Sequence, residues 1–227
     1  MFGRESKAAS ELAYELGTES TNYWNVVNKT ADLYILAVSD IAVEEVFNEL
    51  QLRDKTIVHT AASVPLDVLK GKSEHYGVLY PLQSLKKELH HLPDIPIIID
   101  ASDKQTLDML DVLAHTISNH VYRANDELRI KLHLAAVMVN NFTNHLFAMG
   151  DEFCKKENIE FEKLYPLIDE TIRRVKAHPP QTVQTGPAIR EDIYTLGKHL
   201  QILSAHPDLK YLYLKLSESI LKLHQKK

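Results

Sequence analysis

The chain of 227 residues has a single cysteine, Cys154, so neither an intrachain disulfide nor a cysteine metal cluster can form. Its twelve histidines are scattered, and no His-x-Glu or paired-cysteine spacing suggests zinc. Basic charge is not in excess. The formal net charge is −5, which argues against a general nucleic-acid or anionic-membrane binder. No signal peptide, clean transmembrane run, internal repeat or low-complexity tract stands out, so a cytoplasmic protein is the expectation. What is present is ordinary for a globular chain, 44% hydrophobic and 25% charged. The charge is uneven. Residues 1–122 carry 10 Lys+Arg against 18 Asp+Glu, and residues 123–227 carry 16 against 13.

That asymmetry follows a change in pattern. Up to about residue 122, short apolar runs alternate with helical periods. Strands are expected at 31–38, 56–60, 76–80, 95–99 and 120–122, the fourth near an edge because Pro96 lies inside it. Helices are expected at 6–16, 41–50, 65–69 and 103–115. Alternation of this kind predicts an α/β domain with a mostly parallel sheet. Beyond Arg123 only helical periods occur, so two parts are expected, 1–123 and 124–227, joined without a flexible linker.

The dominant stretch is Asn125 to Ile159, with no proline and one glycine. Leu128, Leu132, Ala135, Val139, Phe142, Leu146, Met149 and Phe153 recur at steps of three and four, as one helical stripe. No charged residue lies between Leu132 and Gly150, which predicts a helix surrounded by protein. His133, Asn140, Asn141 and Asn144 interrupt it too often for a lipid-facing span. His133, Asn140 and Asn144 are seven and four apart and would line one side. Buried, they need partners: other side chains, or a ligand.

In open parallel sheets ligands bind beyond the carboxyl ends of strands. Four segments there are small or polar: Phe2 to Ser6, Ala37 to Asp40, His59 to Ser63 and Tyr80 to Ser84. Arg4 with Ser6 and Lys7 would suit a phosphate monoester at a helix start. The plainer reading makes Arg4 a surface charge and Ser6 a cap.

Taken in order, Ala37-Val38-Ser39-Asp40, His59-Thr60-Ala61-Ala62-Ser63, Tyr80-Pro81-Leu82-Gln83-Ser84, Val139-Asn140-Asn141-Phe142 and Thr185-Gly186-Pro187-Ala188-Ile189-Arg190-Glu191-Asp192 resemble one bacterial family. Its members have a Rossmann-like domain followed by a helical domain of unknown function. They are often labelled NADP oxidoreductases, and are similar in plan to pyrroline-5-carboxylate reductase and the 6-phosphogluconate dehydrogenase relatives. The resemblance implies that Arg4 and Ser6 hold the 2′-phosphate of NADP, that Ala37, Val38 and Ser39 lie against the cofactor, and that Thr60 and Ser63 face its nicotinamide end. It implies a small-molecule substrate near Pro81, Leu82, Asn141 and Arg190, with His133 as proton donor and Asn140 or Gln83 polarising a carbonyl or imine. It also implies a homodimer through the helical part, in keeping with the wide apolar face of the last helix. The alternative is a non-enzymatic nucleotide-binding or assembly module. The family begins with a strand, a Gly-x-Gly-x-x-Gly-type turn and a helix, whereas the first glycine here is Gly3. The chain is therefore expected to be incomplete at its start and, as written, to bind a dinucleotide poorly.

Overall fold

The computed structural model describes every residue except Gln51, Arg53, Lys72, 85–93 and 225–227, and the side chain of Ser6. It divides into two compact units, Met1–Val139 and Asn140–Lys227. The change in secondary structure falls at residue 123, but the division by packing lies sixteen residues later, inside the helical stretch. The reason is Arg129, described below, which ties the start of that stretch to the sheet.

The first unit is built on a five-stranded sheet in the order β1 (Leu33–Leu36), β2 (Thr56–His59), β3 (His75–Pro81), β4 (Ile97–Ala101) and β5 (Val121–Arg123). β1, β2 and β3 are parallel; β4 is antiparallel to β3, and β5 is parallel to β4. The sheet is thus mostly parallel in its pairings. It has a reversal between β3 and β4 that alternation alone does not reveal. β4 is an inner strand rather than an edge strand: Pro96 precedes it, and its carbonyl accepts from Leu82 N at 2.8 Å. Proline costs nothing there, because its missing N–H falls outside the ladder.

The register sorts side chains onto two faces. Leu36, His59, Val78 and Asp100 form one row on one face, and Tyr80 and Ile98 belong to the next row of that face. α2 (Val43–Glu49) covers the β1–β2 side, with Val43 and Phe47 fully buried. α3 (Lys104–Ile117) covers the opposite face through Leu110 and Ala114 against Val58, Leu79 and Ile99. Gly77 makes this close packing feasible: a Cβ there would lie 2.7 Å from Leu110 Cδ1 and 2.8 Å from the Asp100 carbonyl. α1 (Ser6–Glu15) buries Ala9 and Ala13, and follows a single bridge between Phe2 and Thr21.

α4 (Asp126–Ala136) lies over Val78, Tyr80 and Ile98, with Leu132 in that cluster. Asn125 caps it by accepting from Leu128 N at 3.0 Å. The stretch continues as a π-helical segment, Val137–Phe142, and then as α5 (Thr143–Lys156). A π turn has i→i+5 bonds and shifts the phase of everything beyond it. The seven-residue spacing of His133 and Asn140 therefore crosses a change of helical period. The chain itself does not enclose the stripe. Val139 is 74% exposed and Phe142 is 53% exposed, with Leu128, Leu134, Met138 and Leu146 also open. The absence of charge from Leu132 to Gly150 predicted a protein-surrounded helix; within one chain much of that surface is uncovered.

The second unit contains α5, α6 (Tyr165–Ala177), α7 (Ile193–Ile202) and α8 (Pro207–His224). α5 ends where Asn158 takes a left-handed conformation (φ 55°) and Ile159 N bonds back to the Cys154 carbonyl at 2.8 Å. Asp192 caps α7, accepting from Thr195 N at 3.0 Å and Thr195 Oγ1 at 2.7 Å. Buried side chains here include Cys154, Ala188, Leu203 and His206. His206 is held by Glu157 at 2.7 Å and stacks edge-on to Phe153. No helix among the described residues is long and apolar enough to cross a membrane.

Candidate functional site

Because β1, β2 and β3 run in one direction, their carboxyl ends share one rim of the sheet. The first loop, Ala37 to Asp40, leaves Ala37 and Ser39 exposed and Val38 half-buried against the core. The second, after β2, is held by several hydrogen bonds. Thr60 N bonds to the Leu36 carbonyl at 3.3 Å, joining the two loops beyond the last strand pair. Ser63 donates its N–H to Asp40 Oδ2 at 3.3 Å, and its hydroxyl bonds the same oxygen. From beneath, Arg129 Nε donates to the Ala62 carbonyl at 3.2 Å, and Nη2 to the Val64 carbonyl at 2.5 Å. Asp126 accepts from Leu66 N at 2.9 Å and pairs with Arg129 at 2.7 Å. One buried arginine thus holds this loop in shape, its charge balanced by a half-exposed carboxylate.

Arg129 is 1% exposed and sits over the row containing His59. His59 accepts from Ala61 N through Nδ1 at 3.2 Å. Its pKa falls to about 4, because burial and then the Arg129 guanidinium disfavour a second positive charge, against weaker opposition from Asp126, the Pro65 carbonyl and Asp40. His59 is therefore neutral at pH 7. His59 Nε2 and Arg129 Nη1 are buried with no hydrogen-bond partner among the described residues. In the same row Asp100 has its pKa raised, chiefly by burial.

At the end of β3, Tyr80 Oη lies 2.9 Å from His133 Nδ1. The two rings meet edge to face at 6.2 Å. Tyr80 is buried beside Ala62, Ile98 and Leu132, and its pKa is raised by burial first and Asp40 second, with Arg129 opposing. His133 is half-buried. Pro81 closes β3, Leu82 packs onto the same cluster, and Gln83 is exposed with its amide oxygen accepting from Ser84 N at 2.9 Å.

Of the residues singled out from sequence, the first unit therefore brings Ala37, Val38, Ser39, Thr60 and Ser63 onto one rim, and His133 onto the adjoining strand end beside Pro81 and Leu82. Arg4 is exposed just ahead of α1 and makes no ion pair among the described residues. Ser6 opens α1, and its side chain lies outside the described residues. Asn140, Asn141 and Arg190 belong to the second unit. Both asparagines are exposed in the π segment, and Arg190 is exposed 4.0 Å from Asp192. Sequence reasoning overlooked Tyr80 as a site residue, and with it His59, Arg129, Asp126 and Asp40. Arg129 left a usable signal: an arginine one turn past the cap of a mostly apolar helix, three residues after an aspartate.

At the start of α1, Arg4 offers a positive charge next to the acidic Glu5. The Glu5 N-cap makes no side-chain hydrogen bond, so the first-turn N–H groups are uncapped by that residue, and Arg4 stands next to them. No metal-holding group of histidine, cysteine or acidic residues occurs among the described residues.

A family model described as "Domain of unknown function (DUF2520)" matches residues 95–220. The chain belongs to the DUF2520 family. The structure of the "putative NADP oxidoreductase" of Bacteroides fragilis is 42% identical and has a TM-score of 0.89, with 97% of this chain and 87% of that one covered. More distant structures share the fold. The 1-pyrroline-5-carboxylate reductase of Streptococcus pyogenes is 13% identical, with 97% and 88% covered and a TM-score of 0.60. A reductive aminase from Aspergillus terreus, in complex with NADPH and ethyl-5-oxohexanoate, is 14% identical, with 78% and 64% covered and a TM-score of 0.61. No curated protein matches. The DUF2520 chain is accordingly Rossmann-like, with a helical C-terminal region.

Proposed function

We propose that this DUF2520 protein is an NADP-dependent oxidoreductase that passes hydride to or from a small carbonyl or imine. The observation that carries the reading is the Tyr80–His133 pair at the end of β3, next to a rim whose loops are tied by Asp40, Ser63 and Arg129. The Bacteroides fragilis relative, with its NADP oxidoreductase name, supports it.

Arg4 and the uncapped α1 amides would hold the adenosine 2′-phosphate, Ala37 to Ser39 would lie along the cofactor, and Thr60 and Ser63 would border its nicotinamide end. When bound, the nicotinamide supplies or accepts the hydride. The chain's own residues do the rest. His133 exchanges the proton, Gln83 offers an amide to the reacting group, and the Arg129-braced loop keeps the rim from shifting as substrate arrives. Pro81 and Leu82 border the substrate side. The exposed apolar residues from Leu128 to Leu146 are covered by a second copy of the chain, since a contiguous apolar surface of this kind marks an interface.

Isothermal titration of the full-length protein with NADPH and NADH tests the reading. NADPH is expected to bind more tightly than NADH. Arg4→Ala should weaken NADPH alone by about 10- to 100-fold, the loss of one or two charge-assisted bonds. Equal affinity for both nucleotides, or an Arg4→Ala protein that binds NADPH normally, contradicts the proposed 2′-phosphate site. No binding of either nucleotide by a chain extended upstream with the strand, glycine turn and helix expected of the family contradicts the function.

A further inference from the structure

We infer that Tyr80 and His133 form a proton relay in which the Tyr80 hydroxyl donates to His133 Nδ1, so that neutral His133 carries its proton on Nε2 and presents it to a carbonyl oxygen. The inference rests on the oxidoreductase reading, and deepens it by choosing an unprotonated acceptor, a carbonyl foremost, over an iminium.

The geometry supports this direction. A buried phenol needs an acceptor for its proton, and the His133 ring nitrogen at 2.9 Å is the partner that the fold provides. A phenol is a stronger donor than a neutral imidazole N–H, and an imidazole nitrogen is a better acceptor than a phenol oxygen. O–H···N is therefore the favoured arrangement of the two. With Nδ1 occupied as acceptor, the ring proton of neutral His133 must sit on Nε2. Tyr80 itself is fixed: it stands in the row of Ile98, packed with Ala62 and Leu132. α4 brings His133 to it, and Arg129, one turn earlier, anchors that helix to the loop after β2. Both members of the pair are thus positioned by the same helix-to-loop contact.

The chemistry balances. Hydride from the reduced nicotinamide forms a C–H bond at the carbonyl carbon, and the π pair of the carbonyl moves onto oxygen. That oxygen takes the Nε2 proton while the Tyr80 O–H bond breaks and its proton goes to Nδ1. The products are the alcohol, neutral His133 with its proton moved to Nδ1, and a Tyr80 phenolate that regains a proton from water. An alkoxide is far more basic than a phenolate, so the transfer runs downhill even though burial makes Tyr80 a weaker acid than usual. The Arg129 charge acts in favour of the phenolate. An imine that is already protonated would bring its own N–H against Nε2–H, donor facing donor. The pair therefore selects an unprotonated acceptor, a ketone, an aldehyde or a neutral imine, over an iminium.

The test is long-range 15N NMR of histidine-labelled protein at a pH where His133 is neutral, its resonances assigned by their loss in His133→Gln. The expected result is the Nε2–H tautomer in the wild type and a redistribution between tautomers in Tyr80→Phe, while the other histidines keep their shifts. An Nδ1–H tautomer in the wild type, or His133 signals unchanged in Tyr80→Phe, overturns the relay. Because this readout needs no cofactor, it separates the two levels. Should NADPH fail to bind while the tautomer is as stated, the oxidoreductase reading fails and takes the relay's purpose with it. Should NADPH bind and the tautomer be the opposite one, only the relay fails. Once a ketone substrate is turned over with NADPH, Tyr80→Phe should lower kcat/KM by about 100-fold or more, as for loss of a general acid; a loss of less than about threefold also overturns the relay.

Discussion

The two units differ most in what they do with their apolar side chains. The sheet unit encloses a large share of them, although Tyr14, Ile41 and Val139 among others stay exposed. Val43, Phe47, Ile57, Val58, Leu69, Val78, Ile99 and Leu110 are all inaccessible, and three clusters divide the two faces of the sheet. The helical unit leaves Tyr165, Leu167, Ile193, Tyr194, Ile202, Tyr211 and Leu223 exposed and makes much of its internal order from polar contacts, such as His206–Glu157 and His199–Tyr213. A unit with few buried apolar residues gains little from burial, since stabilisation is roughly proportional to the apolar area removed from water. The first unit therefore has the larger enclosed core, and the second gains less from burial within one chain.

The contrast can be broken in several ways, the most drastic in the sheet unit. Leu110→Ala removes a side chain packed against Gly77 and should cost about 2–5 kcal/mol in urea unfolding. Arg129→Met leaves the Ala62 and Val64 carbonyls without their donor, with an expected loss of about 2–4 kcal/mol. A loss below about 1 kcal/mol for either would show that the sheet unit is not the stable part.

Acid should act on the sheet unit through His59. Its folded pKa of about 4 lies below the ordinary histidine value, so between those pH values the unfolded chain binds the extra proton. Stability should therefore fall as pH drops from about 6.5 to about 4, by on the order of 3 kcal/mol, and the fall should be absent in His59→Gln. Urea midpoints measured across that window check it. Asp103 adds to the same trend. Burial tends to raise its pKa, but bonds from Thr106, His75 and Ser102 outweigh that and hold it well below the usual carboxylate range. Its contribution is present above the unfolded aspartate pKa and is lost as pH falls toward the folded one.

In the helical unit single substitutions should matter less to the stability of one chain and more to association. Phe142→Ser, in that unit, together with Val139→Ser, at the end of the first, should halve the mass seen by light scattering while leaving the far-ultraviolet circular dichroism unchanged. An unaltered mass, or a wild type already monomeric at tens of micromolar, removes the proposed dimer. The smallest effect is expected from Asp192→Ala, loss of the α7 cap, at about 1 kcal/mol.

The same contrast explains what could be read from the residues alone. The strands at 33–36 and 56–59 are legible because runs such as Leu33–Leu36 have no other comfortable conformation between turn residues. The rim is legible in part: Ser39 and Ser63 are small and polar at strand ends, and they do lie there. The brace beneath the rim is not. Arg129 and His59 become a pair only through register and the crossing of α4, and a periodicity count treats each as a break in a stripe. The π segment at Val137–Phe142 is silent as well, since a count of steps of three and four assumes an unbroken α-helix. The reversal between β3 and β4 is equally silent, since an apolar run reads the same in either direction.

The most direct test of the central claim, that a nicotinamide cofactor rests on the β1–β3 rim beside His133, is to titrate NADPH into histidine-labelled full-length protein and follow the ring resonances. The rim site predicts a saturable shift at His133, with His206 and His199 unmoved. Saturable binding that leaves His133 in place, or that moves only His206 and His199, would contradict it.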